Sequence, residues 1–203
     1  YVESEFHIYP FIVSFLYSAF GEHDIFGRMV SVLFSILTVL GLYLLVRKLI
    51  NEDTALWSSL IYAILPLNIF YGRAFMPESM MLMCSVYSVY FFSKWLDKEN
   101  AKYFILAWLF TTLAILIKLP AVYLGLPLFY LAFQKYKFGL FKKPILYILT
   151  LMIFIPVILW YYHAHQLLLN VGSSFGIWSF GVDKWGMFSL LTVPAWYNDI
   201  FFK

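Results

Sequence analysis

The sequence predicts an all-α polytopic membrane protein. Hydrophobic residues make up 63% of the 203 and charged residues only 12%, and the mean hydropathy of +0.82 lies outside the range of soluble domains. Apolar runs of membrane-crossing length also alternate with short loops that hold most of the lysines.

The elements follow in order. Residues 6–20, "FHIYPFIVSFLYSAF", are too short and too interrupted by Pro10 to span, and read as an interfacial helix on the external face. Six spans are expected at about 28–46, 54–71, 77–95, 103–117, 119–133 and 144–162, with Tyr and Trp crowding their ends. The Gly-, Ser- and aromatic-rich tail, "NVGSSFGIWSFGVDKWGMF" included, reads as an external loop lying on the membrane. The expected organisation is therefore an external segment over 1–27, six transmembrane helices over 28–162, and the start of an external loop region over 163–203.

The fourth and fifth spans could instead be one broken helix, because only Lys118, Leu119 and Pro120 separate them. Charge decides for a hairpin. With a turn at Lys118, one side holds Arg47, Lys48, Lys94, Lys98, Lys102, Lys135, Lys137, Lys142 and Lys143, nine of the 14 basic residues. The positive-inside rule makes that side cytoplasmic. The opposite side then holds His7, His23, His163 and His165, with Glu3, Glu5, Glu22, Asp24, Glu78, Asp183 and Asp199.

Several function classes drop out. A lone cysteine, Cys84, can build neither a disulfide framework nor a cysteine metal site. The basic residues are scattered between apolar runs, so no nucleic-acid partner is expected, and no glycine-rich loop offers a nucleotide site.

The residues of chemical interest gather at the external span ends. Pro77 suits the first turn of the third span, and Glu78 behind it lies where the helix dipole favours an anion. Arg73 precedes them, Lys118 opens the fifth span and Arg28 the first, so both charge signs can meet in one external cavity. Such a cavity suits an anionic lipid-linked substrate: cations hold a phosphate as leaving group, and a carboxylate takes a proton from an attacking hydroxyl. A helix-end carboxylate and a headgroup-level arginine with purely structural roles would give the same pattern. A transporter or lipid flippase, or a non-catalytic membrane scaffold, is the alternative. Transporters, however, place such charges near the bilayer midplane on discontinuous helices.

Three stretches, "GRMVSVLFSILTVLGLYLLVRKL", "ALWSSLIYAILPLNIFYGRAFMPESMML" and "LAILIKLPAVYLGLPLFYL", closely resemble the PMT/ArnT-like membrane glycosyltransferases, over about residues 3–165. The most specific parts are Gly27 with Arg28, the run from Tyr71 through Arg73 to Pro77 and Glu78, and the Lys118, Pro120 break. The resemblance implies a GT-C-type helix bundle in the plasma (inner) membrane, a polyprenyl-phosphate sugar as donor, and a glycan, lipid or protein acceptor on the extracytoplasmic face, as in cell-envelope glycan assembly. It implies that Glu78 is a catalytic acid, where Asp is commoner in the family, and that Lys118, Arg73 and Arg28 bind the donor phosphate. The family's first span and its first-loop acid would lie upstream of Tyr1, so the chain reads as an internal fragment. It further implies a divalent metal, Zn, Mg or Mn, held by Glu5 with His163 or His165.

Overall fold

The computed structural model describes residues 2–3, 6–171 and 174–175. The chain divides into two units, one of residues 5–162 and one of residues 1–4 with 163–203. In the second, Val2–Glu3 pairs in parallel with Ser174–Phe175. The first is helical throughout and contains the core.

Helix α1, Ile8–Phe20, buries Tyr9 and Val13. Pro10 does not interrupt it, because it falls in the first turn, where a missing N–H costs nothing. Helix α2, Asp24–Leu49, starts a turn before the expected Arg28. Asp24 in its first turn and Arg47 and Lys48 in its last complement the helix dipole. Its buried stripe is rich in small residues: Gly27, Ser31, Thr38 and Gly41 recur at helical spacing. Close approach requires them, since a Cβ on Gly41 would lie 2.9 Å from the Tyr87 ring.

Asn51 caps helix α3, Glu52–Ile64, by accepting from Thr54 N–H at 2.8 Å. Helix α4, Pro66–Arg73, follows at a bend of 64°. Pro66 has no N–H for the Tyr62 carbonyl one turn back, and Asn68 Nδ2 donates to that carbonyl instead, at 2.9 Å. Helix α8, Pro144–Val171, solves the same problem at Pro156: the Met152 carbonyl that the proline leaves free accepts from Trp108 Nε1 at 2.7 Å. Asn68→Leu is expected to lower stability by about 1–3 kcal/mol, the cost of a part-buried carbonyl left unpaired. Thermal unfolding in detergent measures it.

Helix α5, Glu78–Lys98, is the axis of the unit. It packs on α2 along one side and on helix α6, Ala101–Ile117, along the other. Its buried face mixes Met80, Met83, Cys84 and Phe92 with Ser79, Ser85, Ser88 and Ser93, and Ser88 and Thr111 share a 2.5 Å hydrogen bond across the α5–α6 contact. After α6 comes a 3-10 turn, Leu119–Leu124, forced by Pro120 near its start, and only then helix α7, Gly125–Tyr136. The fifth expected span is thus a 3-10 turn joined to a short helix.

The two ends of α5 establish the chain reversal. Lys118 pairs with Glu78 at its start, whereas Lys135 donates to the Leu96 carbonyl and reaches Glu99 at its finish. The chain therefore returns along α5 between Lys118 and Lys135, as the hairpin requires. Lys48 with Asp97 at 2.5 Å puts the end of α2 at that same finish. Residues 163–171 continue α8 where a loop is expected, since Ala164, Gln166 and the leucines after it favour helix and no glycine intervenes before Gly172. The rest of that expected loop, apart from residues 174–175, lies outside the described residues.

By length and composition, α2 and residues Pro144–Leu167 of α8 can each cross a membrane, and α3 with α4 makes a third if the bent pair counts as one span.

Candidate functional site

Glu78 is the first residue of α5, with Pro77 (φ −73°) as its N-cap. Proline can occupy that boundary because the N–H it lacks would have no partner inside the helix. Lys118 is reached differently. α6 stops at Ile117, and Lys118 is extended (φ −144°, ψ 115°) ahead of the turn that Pro120 starts. The two breaks bring the side chains together at 2.8 Å, with about a quarter of each side chain exposed. An ion pair so placed is neither free in water nor sealed in the core. It keeps much of its Coulomb attraction and remains open to a ligand.

Two polar atoms at the start of α5 are buried and have no hydrogen-bond partner among the described residues: Glu78 Oε2 and Ser79 Oγ. Buried polar atoms are normally paired. This helix start therefore holds a carboxylate oxygen and a hydroxyl without partners among the described residues, beside a cation.

A hydroxyl chain supports the loop that leads to Glu78. Tyr9 is 2% exposed, and its Oη lies 3.0 Å from the Gly27 carbonyl and 2.5 Å from Ser31 Oγ. Ser31 Oγ donates in turn to the Ala74 carbonyl at 2.6 Å. Burial pushes the Tyr9 phenol above its ordinary value, so it stays protonated and able to donate. The Phe6 N–H also donates to the Leu116 carbonyl at 3.1 Å, which lays the chain leading into α1 beside the end of α6. Neither Tyr9 nor Ser31 stands out in the sequence, because a Tyr and a Ser in apolar runs carry no signal of their own. The small-residue stripe through Gly27 and Ser31 is the one available hint. Tyr9→Phe is expected to cost about 1–2 kcal/mol in thermal unfolding, more than its exposed neighbours in α1.

The arginines expected beside this pair lie on other helices. Arg28 is exposed in the second turn of α2, and Arg73 is exposed at the end of α4. Neither makes an ion pair among the described residues. Arg73 instead borders a cavity of about 280 Å³ with Ser35, Tyr62 and Asn68, between α2 and the bent pair. His7 is the N-cap of α1, its ring 5.9 Å from that of Trp160. His163 is exposed and His165 half-buried on the last turns of α8, while Glu5 lies outside the described residues. Among the described residues no group of three His, Cys, Asp or Glu side chains is arranged to hold a metal.

The family model described as dolichyl-phosphate-mannose-protein mannosyltransferase matches residues 7–161, which include α1 to α7, Glu78, Lys118 and most of α8. No curated protein and no solved structure gives a significant match.

Proposed function

Because the chain belongs to the dolichyl-phosphate-mannose-protein mannosyltransferase family, a family of membrane glycosyltransferases, we propose that it moves a sugar from a polyprenyl-phosphate donor to a hydroxyl acceptor on the extracytoplasmic face. The transfer is a single displacement with inversion. The acceptor oxygen forms a bond to the anomeric carbon, the bond from that carbon to the phosphate oxygen breaks, and the electron pair leaves with the polyprenyl phosphate. The acceptor proton goes to a carboxylate. Glu78 orients or activates the acceptor hydroxyl, beside the acid that the family places in its first external loop. Lys118, with Arg73 and Arg28 at the same end, holds the departing phosphate.

The observation that carries the proposal is the Glu78–Lys118 pair at the helix ends, with Glu78 Oε2 and Ser79 Oγ lacking partners beside it. It supplies one group for the hydroxyl and one for the phosphate within a single ion-pair distance. Its place at the start of α5 and the end of α6 also speaks against a transporter, whose substrate charges belong near the midplane.

All six apolar segments cross the membrane in this proposal. α5 needs no lipid-like surface, because its serines face α2 and α6 rather than acyl chains. The lysine-rich end is then cytoplasmic and α1 lies in the opposite interface. A divalent metal on Glu5 with His163 or His165 has no assembled donor set among the described residues, so no step is routed through it; elemental analysis of the purified protein tests it.

The decisive experiment reconstitutes the full-length protein in nanodiscs and measures polyprenyl phosphate released from a panel of polyprenyl-phosphate sugars. Release with one donor class supports the proposal. A folded protein that binds and cleaves none of them sinks it.

A further inference from the structure

The end of the unit opposite Glu78 holds a cluster that sugar transfer leaves unused. Four lysines fall within nine residues, Lys135, Lys137, Lys142 and Lys143, with Tyr136, Phe138 and Phe141 between them. Local acids compensate one of the four. Lys135 reaches Glu99 at 3.2 Å, and its hydrogen bond, with the Lys143 charge nearby, holds the Glu99 carboxyl below the usual range, so one ionised acid stands against four cations. Lys137, Lys142 and Lys143 are exposed and have no carboxylate within ion-pair distance among the described residues. Lys143 lies over the Tyr136 ring at 5.1 Å. Phe138 and Phe141, 78% and 57% exposed, stand beside these charges, the pairing of aromatic and cation found at a headgroup boundary.

A cavity of about 330 Å³ runs from this cluster along the wedge between α7 and α8, roughly twice the volume of a dry cavity that takes up benzene. Its wall includes Leu128, Ala132, Leu140, Phe141, Leu149 and Ile153. The hydroxyls in the wall are already engaged: Thr111 donates to the Ala107 carbonyl, Thr150 to Leu146 and Tyr147 to Phe141. The wall therefore suits hydrocarbon rather than a polar ligand.

We propose that this end binds one anionic phospholipid, its phosphate held by Lys137, Lys142 and Lys143 and one acyl chain lying in the α7–α8 wedge. An excess of positive charge on the turn that carries Leu140 and Phe141 into the wall, and an apolar, hydrogen-bond-satisfied wall behind it, match the two parts of such a lipid. The donor's polyprenyl phosphate does not fit the same description, because the 21 residues of α5, about 30 Å, separate these lysines from Lys118.

Native mass spectrometry of the full chain, released from detergent after incubation with phosphatidylglycerol or phosphatidylcholine of identical chains, tests the assignment. Retention of phosphatidylglycerol is expected to exceed that of phosphatidylcholine about tenfold or more. Replacing Lys137, Lys142 and Lys143 together with Gln should bring the two lipids level, and replacing them with Arg should restore the preference. Gly125→Leu probes the chain. A Cβ there meets nothing within 4 Å, so the leucine can occupy the wedge without collision and should lower retention of phosphatidylglycerol. Equal retention of the two lipids by the wild type, or a preference that survives the triple Gln variant, overturns the headgroup assignment. Undiminished retention in a folded Gly125→Leu protein overturns the acyl-chain assignment. Stabilisation by inorganic phosphate equal to that by phosphatidylglycerol would reduce the site to a free-anion site and overturn the lipid.

Discussion

Glu78→Gln is expected to lower kcat by about 10²-fold or more with every donor, the scale of a lost proton acceptor or orienting carboxylate. The fold should survive. Gln keeps the size of Glu, leaves an oxygen for Lys118, and retains a polar side chain in the first turn of α5, where the pair is about a quarter exposed. The stability change is therefore expected within about 1 kcal/mol. Donor binding, measured separately with a non-transferable polyprenyl-phosphate sugar, should change little, because the proposed role is toward the acceptor. Wild-type turnover in a folded Glu78→Gln protein would remove Glu78 from the chemistry and leave it as a helix-end anion.

Lys118→Met should differ in kind. Its main loss is expected in donor binding and in the departure of the phosphate, about 10²–10³-fold in kcat/KM, as for removal of one charge-stabilising donor. It also carries a stability cost that Glu78→Gln does not. Methionine fills the space of the lysine stem but leaves the Glu78 carboxylate half-buried without its cation, at about 1–2 kcal/mol, between an exposed and a buried pair. The double variant separates these effects. If the pair acts structurally, Glu78→Gln added to Lys118→Met should recover stability, since position 78 then carries no uncompensated charge. Activity should recover in neither. Recovery of turnover in the double variant would mean that the ion pair only holds the two helix ends together.

The membrane-helix architecture was legible because its signals are local. Each of the six apolar segments is helical, and the hairpin at Lys118, inferred from lysine asymmetry alone, agrees with Lys118 at one end of α5 and Lys135 at the other. Boundaries failed where a residue's meaning depends on its place within a turn. Pro10 reads as an interruption but occupies a first turn, and residues 163–171 read as loop but hold no helix breaker. Within the site, Glu78 and Lys118 could be anticipated because Pro77 and Pro120 fix where two helices end. Arg73 could not be placed in the same way. Its position follows from the 64° bend between α3 and α4, and a proline announces a break without giving its angle. Tyr9 and Ser31 were hidden because their partners are each other and backbone carbonyls, which no sequence pattern displays.

The carbonyls freed by Pro66 and Pro156 constrain how this sequence can change. Asn68 and Trp108 each donate to an oxygen that has no helical partner while the proline is present. Losing either donor first leaves an unpaired carbonyl. At Pro156, inside a continuous helix, losing the proline first restores the helical N–H and makes Trp108 dispensable, whereas at Pro66 the extended Leu65 keeps the helix broken and Asn68 necessary. At Pro156 a lineage can thus shed the proline and then the side chain, or acquire them in the reverse order, by steps that are each mild. The opposite sequence passes through an intermediate weakened by about 1–3 kcal/mol, enough to close that path in a protein of ordinary marginal stability.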